Sequence, residues 1–209
     1  MNFTMKKKLE IIGYSGHSYV CIETAIRSGF EMIGYYDLEH KSHNPYNINY
    51  LGSEKLLTTS ENLLFIGIGD NFLRQKIYQQ LNSSNKFASL IHPSATISDT
   101  AIISENVLIS ASAIVNAQSN IDFGCIINTG AIIEHECHIY SFAHVAPGAV
   151  LAGNVKVGER SFIGANATIK QGTVIGNDVI VGAGSVILND IPNNSVVVGN
   201  PGKIIKKNI

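Results

Sequence analysis

From Ile91 to Ile187 every sixth residue is isoleucine, valine or leucine, with no slip in register. Four residues after each aliphatic the chain is mostly small, as at Ala95, Ala101, Ala113, Ser119, Cys125, Ala131, Cys137 and Ala143. A period of six fits neither a helix nor an alternating strand. Short fixed self-similarity marks a solenoid, and hexapeptides mark a parallel β-helix. The pattern predicts a triangular prism: one hexad per face, three per coil, with the aliphatic and its small partner filling the interior. The run is long enough for between five and six coils.

Ahead of the hexads the pattern changes. Leu9–Ile12 reads as a buried strand, followed by Gly13-Tyr14-Ser15-Gly16-His17 and a helix from Ser18 to Ser28. Phe30–Tyr36 reads as a second strand, ending on Asp37. Residues 40–60 are polar, with one short helix near Glu54–Leu57. Asn62–Ile68 is a third strand, ending in Gly67-Ile68-Gly69-Asp70-Asn71, with a helix over Asn71–Leu81 and a last strand over Lys86–Leu90. Strand, glycine turn, helix and strand closing on an acid is the logic of nucleotide-binding βαβ units, with a helix N-terminus free to receive an anion. The Gly-x-x-Gly spacing departs from Gly-x-Gly-x-x-Gly, and an ordinary tight turn is the competing reading. Both glycine turns belong at the carboxyl ends of parallel strands, where ligands bind. The predicted organisation is an α/β Rossmann-like domain over 1–90 and a β-helix over 91–209. The stretch from Val196 to Lys203 caps the last coil, Lys206-Lys207 is solvated, and residues 1–7 form a frayed start with Met5 as an alternative initiator.

Composition narrows the function. Net charge is −1, and Lys156, Arg160 and Lys170 are the only basic residues between Ile91 and Asp190. There is no basic stripe to track phosphates, so nucleic acid is not an expected partner. Three cysteines make no disulfide framework; Cys125 and Cys137 occupy small interior slots as hydrophobes. No apolar run reaches a membrane span, and the run after Lys6-Lys7-Lys8 stops at Gly13, too short for a signal peptide. These features predict a cytoplasmic protein.

Polar side chains suited to catalysis concentrate between Asn128 and Gly153: Asn128, Glu134, His135, Glu136, His138 and His144. One coil is eighteen residues, so residue i+18 lies over residue i at about 4.8 Å. Gly153 therefore falls over His135, leaving a slot beside the imidazole and a bare N–H facing it. Acyl transfer needs that pair, a base for the nucleophile and a donor for the oxyanion. A carboxylate on the far imidazole nitrogen would fix its tautomer, and Glu134 and Glu136 are both placed for this. The competing reading makes these histidines solvated turn residues. A metal reading takes His135, His138 and His144 as ligands between prisms, as in the gamma-class carbonic anhydrases, but leaves the α/β domain without a role.

The chain resembles the bacterial sugar acetyltransferases that join a nucleotide-sugar-binding domain to a left-handed β-helix: the nucleotide-linked 4-amino-sugar N-acetyltransferases and the sialic acid O-acetyltransferases. The resemblance spans essentially the whole chain. It is carried by Gly13-Tyr14-Ser15-Gly16-His17, Ile66-Gly67-Ile68-Gly69-Asp70-Asn71, Ile127-Asn128, Ile133-Glu134-His135-Glu136-Cys137, His144-Val145, Ala152-Gly153-Asn154-Val155 and Val198-Gly199-Asn200-Pro201. The resemblance implies His135 as general base, Glu136 as its orienting carboxylate, Asn128 as a polar support near the sugar, and Gly153 as the oxyanion donor. It implies His144, Ala165 and Ala183 along the acetyl-CoA site, and Ser15, Gly16, His17, Asp37 and Gly69 around the nucleotide sugar. It further implies a homotrimer with acetyl-CoA between neighbouring prisms, and no metal. Members handling uridine sugars often carry two acids after the second strand, where this chain has Asp37-Leu38.

The function so expected is acetyl transfer from acetyl-CoA to the amine of a nucleotide-linked 4-amino-deoxy sugar for surface glycan biosynthesis. O-acetylation of a sialic acid and non-catalytic sugar-nucleotide binding are the alternatives.

Overall fold

The computed structural model describes residues 6–82 and 84–208; most of the frayed start expected over residues 1–7, including Met5, lies outside them. The N-terminal unit is a four-stranded parallel sheet, ordered β3-β2-β1-β4. Its strands are β1 (Lys8–Ile12), β2 (Glu31–Tyr36), β3 (Asn49–Gly52) and β4 (Leu63–Ile66), with helices α1 (Gly16–Arg27) and α2 (Asn71–Leu81). Helix α1 begins two residues earlier than expected, because the Ser15 N–H donates to Ser18 Oγ at 2.5 Å and Ser18 Oγ donates back to the Ser15 carbonyl. The expected helix near Glu54–Leu57 is a turn closed by Leu56 N–H on the Ser53 carbonyl, with Leu56 largely exposed. Strand β3 was hidden in the polar stretch, since it lies at the edge of its sheet and needs no buried alternation. The strand expected over Lys86–Leu90 reduces to a bridge between Phe87 and Leu64, after which Leu90 already pairs with Leu108.

The hexads form the prism. Seventeen two-residue strands, from β5 (Leu90–Ile91) to β21 (Val186–Ile187), recur every six residues and stack in parallel at an offset of eighteen, as in Asn120↔His138↔Lys156. They divide six, six and five among three faces, giving the expected five-to-six coils. The second residue of each pair points inward, and Ile109, Ile127, Ile133, Val145 and Ile163 are fully buried beside Ala113, Ala131, Cys137 and Ala149. Corners recur every sixth residue in the left-handed region, from Asn106 (φ 54°) through Gly130 and Glu136 (φ 60°) to Gly184.

One face is the docking face. Its outward residues Leu90, Leu108 and Ile126 are buried against Leu9, Ile11, Tyr14 and Phe65 in one core shared with the N-terminal unit. At the far end of this face β22 (Ser195–Val198) pairs with the last coil, and β23 (Lys203–Lys207) folds back antiparallel with both terminal lysines exposed. The second face presents Ile114, Ile132, Val150 and Val186 outward, all partly accessible, and is the aliphatic face. The third presents Ile102, Asn120, His138, Lys156 and Val174.

Candidate active site

His135 lies in the turn between β12 (Ile132–Ile133) and β13 (His138–Ile139), on the edge joining the aliphatic and third faces. Its side chain is half exposed, and Nδ1 is 3.0 Å from Glu136 Oε2. Glu136 holds a left-handed corner (φ 60°) that neighbouring coils fill with Gln118, Asn154 and Gly172. Ser112, Gln118, Phe142 and Arg160 hold equivalent left-handed corners, so the repeat itself imposes this conformation. Of the two carboxylates left open by the sequence, Glu136 is the one in contact; the Glu134 backbone carbonyl accepts from Ser119 Oγ.

Gly153 sits one coil above. A Cβ built there would fall 2.5 Å from His135 Nε2 and 3.1 Å from Nδ1. The space vacated by the missing side chain is therefore taken by the imidazole itself, where a slot beside the ring was expected. The Gly153 carbonyl accepts from Gly172 N–H, and its own N–H donates to no protein group among the described residues.

A second cluster lies on the docking face. His144, outward on β14 (His144–Val145), is 8% exposed, and its Nε2 is 3.1 Å from Asn128 Nδ2. Asn128 Oδ1 accepts from Thr129 N–H, so its amide nitrogen faces the ring and His144 Nε2 is the acceptor. His17 stands across the seam, with ring centroids 6.1 Å apart. Gly69 packs on the His17 ring, and His17 Nε2 is buried without a hydrogen-bond partner. Burial, then the positive charge of Arg74, push His17 down to about 4. The same two causes, in that order, push His144 down to about 3. Both rings are neutral at pH 7.

The two glycine turns touch: Gly13 (φ +92°) has no room for a Cβ beside Ile68. Ser15 and Gly16 are exposed at the N-terminus of α1; the Ser15 N–H is taken by Ser18 Oγ, while the Gly16 and His17 N–H groups donate to no protein group among the described residues and can receive an anion. Asp37 accepts from the Tyr14 N–H at 2.9 Å and pairs with Lys41 at 3.0 Å, so it pins the first turn. Ala165 and Ala183 lie in the turns joining the docking and aliphatic faces, the edge that also carries Asn128.

The predicted residues thus fall into two groups that one chain does not bring together. Ser15, Gly16, His17, Asp37, Gly69, Asn128 and His144 surround the seam; His135, Glu136 and Gly153 occupy the edge opposite the docking face. A face six residues wide puts that edge on the order of 15 Å away. The three histidines of the metal reading fall on one edge and two different faces, and His138 is engaged with Asp122 (3.0 Å) and stacked on Tyr140. No cluster of three or more potential metal ligands occurs among the described residues. Sequence reasoning missed Arg74, which is 1% exposed, bridges the Ile68–Gly69 turn to the prism corners at Gly124 and Phe142, and acts electrostatically on both rings. Its signal was a cation in the apolar stripe of α2 with Ile77 and Leu81.

The prism with its appended α/β unit is the architecture of a hexapeptide-repeat acyltransferase. Residues 8–81 match the PglD N-terminal domain, and residues 141–171 and 154–189 match the bacterial transferase hexapeptide of six repeats. The acetyltransferase domain of PglB from Neisseria gonorrhoeae FA1090, solved with acetyl coenzyme A, is 35% identical with a TM-score of 0.90, over 96% of this chain and 100% of that one. PerB from Caulobacter crescentus, solved with CoA and GDP-perosamine, is 35% identical with a TM-score of 0.87, over 95% and 97%. WeeI from Acinetobacter baumannii AYE shares the fold at 22% identity. The chain belongs to the family of left-handed β-helix sugar N-acetyltransferases with a PglD-type N-terminal domain, and it is an acetyltransferase. Among the described residues no helix is long and apolar enough to cross a membrane.

Proposed function

We propose that this enzyme transfers acetyl from acetyl-CoA to the amine of a nucleotide-linked 4-amino-deoxy sugar, at sites shared between neighbouring protomers of a homotrimer in the cytoplasm. The observation that carries the chemistry is the His135–Glu136 pair lying across Gly153. Glu136 holds Nδ1, leaving Nε2 to take the proton as the amine attacks the thioester carbonyl. The C–N bond forms, the C–S bond breaks, and the proton passes on to the departing thiol. The unpaired Gly153 N–H is the donor for the oxyanion.

The sharing follows from the separation of the two groups. Packing the aliphatic face about a threefold axis buries Ile114, Ile132, Val150 and Val186. It also sets the His135 edge of one protomer beside the Asn128–Ala165–Ala183 edge of the next. The acetyl donor then lies along that groove, and the nucleotide sugar reaches it from the neighbour's Ser15–His17 turn.

The test is thiol release from acetyl-CoA against a panel of uridine, thymidine and guanosine diphospho-4-amino sugars, with free sialic acid alongside. Turnover on an amino sugar is expected. Turnover on sialic acid alone would replace N- by O-acetylation.

A further inference from the structure

Arg74 has an unusual environment for an arginine. It is fully sequestered, and no carboxylate lies within ion-pair distance of it among the described residues. All five guanidinium donors nonetheless find oxygens. Nε binds the Gly124 carbonyl at 2.7 Å, Nη1 the carbonyls of Ile68 (2.9 Å) and Gly69 (3.1 Å), and Nη2 Asn71 Oδ1 (2.8 Å) and the Phe142 carbonyl (2.7 Å). Gly124 and Phe142 are left-handed corners one coil apart. The fork therefore reads two stacked prism corners with one side and the second glycine turn with the other.

We infer that Arg74 is a positioning residue of the acceptor site: its guanidinium locks the Ile68–Gly69 turn, and with it His17, against His144. What the seam binds rests on the reading above; the lock rests on the contacts. A buried charge without a counterion is costly. A planar fork of five donors is the one side chain that satisfies carbonyls from three segments at once, and a fully satisfied polar network rigidifies its surroundings.

The charge has a second effect. The groups facing it are the His17 and His144 rings, the Asp70 carboxylate and the Cys21 and Cys125 thiols. Asp70 caps the Leu73 N–H at 2.7 Å, and burial pushes both thiols up to about 12, so they stay neutral. Arg74 thus helps hold both imidazoles neutral: His144 Nε2 accepts from Asn128, and His17 Nε2, buried without a partner among the described residues, is the atom left for a ligand.

The experiment compares Arg74→Lys, Arg74→Gln and Asn71→Ser in the full chain, with two readouts. In steady-state thiol release, kcat/KM for the nucleotide sugar falls on the order of 10²-fold in Arg74→Lys, as for a misplaced binding group, while KM for acetyl-CoA is unchanged. Asn71→Ser keeps the guanidinium and its four carbonyl contacts, withdraws the Asn71 Oδ1 contact together with the Asn71 Nδ2 bonds to the Arg160 and Ser161 carbonyls, and shifts the same parameter less. In NMR titration of the imidazoles, Arg74→Gln raises the midpoints of His17 and His144 toward the ordinary histidine range, and Arg74→Lys leaves them low. A lowered melting temperature with kcat/KM unchanged for both substrates would make Arg74 a scaffold residue only and overturn the inference. Unchanged midpoints in Arg74→Gln would overturn it too. Should the wild-type protein acetylate no nucleotide-linked sugar, the functional reading fails, and the imidazole titration still decides the role of Arg74.

Discussion

Two histidines nine residues apart, His135 and His144, stand on one prism in opposite surroundings. His144 is roofed by the N-terminal unit, held by Asn128 and faced by a buried guanidinium, and it stays neutral far into the acid range. His135 stands on an open edge, half exposed, with an acidic partner and a bare glycine above its ring. The two histidines hold different phases of the hexad, His135 in a turn at a prism edge and His144 outward on a strand, so the repeat sets where each points and the N-terminal unit then covers only His144. Neutral, dry groups suit holding a substrate; an accessible ring with a carboxylate suits moving a proton.

The comparison breaks most sharply if the two groups work in different protomers. His135→Ala is expected to lose about 10²–10⁴-fold in kcat, and His17→Ala to lose nucleotide-sugar turnover by removing the opposite half of the site. Mixing the two inactive variants during folding should restore about a quarter of wild-type turnover, since one in four neighbouring pairs then supplies both intact halves. No recovery would place the whole site within one protomer. Near-normal turnover in His135→Ala alone would remove it as the base.

Gly153→Ala sharpens the edge side. The added methyl would fall 2.5 Å from His135 Nε2. The ring is exposed enough to swing away, so stability is expected to hold while kcat drops about 10²-fold from misplacement of the base. Thermal melting and steady-state kinetics on the same preparation separate the two effects. Equal losses in both would mean the glycine serves packing only.

The edge was legible in the sequence because it obeys arithmetic. A strict period of six fixes the coil at eighteen, and the coil places Gly153 over His135 without tertiary information. The two glycine turns were legible as strand-to-helix punctuation, and α2 appeared at its expected bounds. The seam was not legible. Which prism face receives the N-terminal unit depends on side-chain packing of Leu108 and Ile126 against Phe65 and Leu9; in the hexad pattern their slots look like any other outward position. Arg74 was hidden for the same reason, because its partners are backbone carbonyls 50 and 68 residues away. Strand β3 escaped because four edge residues carry too little alternation to register.

The seam side makes its own prediction about pH. His17 and His144 titrate near 4 and 3 in the folded protein, against about 6.5 in the unfolded chain. Between those values the unfolded chain binds protons that the folded chain refuses, so stability falls as pH drops below about 6.5. Each histidine contributes a slope of up to about 1.4 kcal/mol per pH unit. Between pH 6.5 and 5 most carboxylates remain ionised, which makes this window the informative one. Denaturant midpoints across it should decline in the wild type, and His144→Gln should remove about half of the slope. A wild-type profile flat across the window would mean that water reaches both rings, and the contrast between dry seam and open edge would then rest on hydrogen bonding alone.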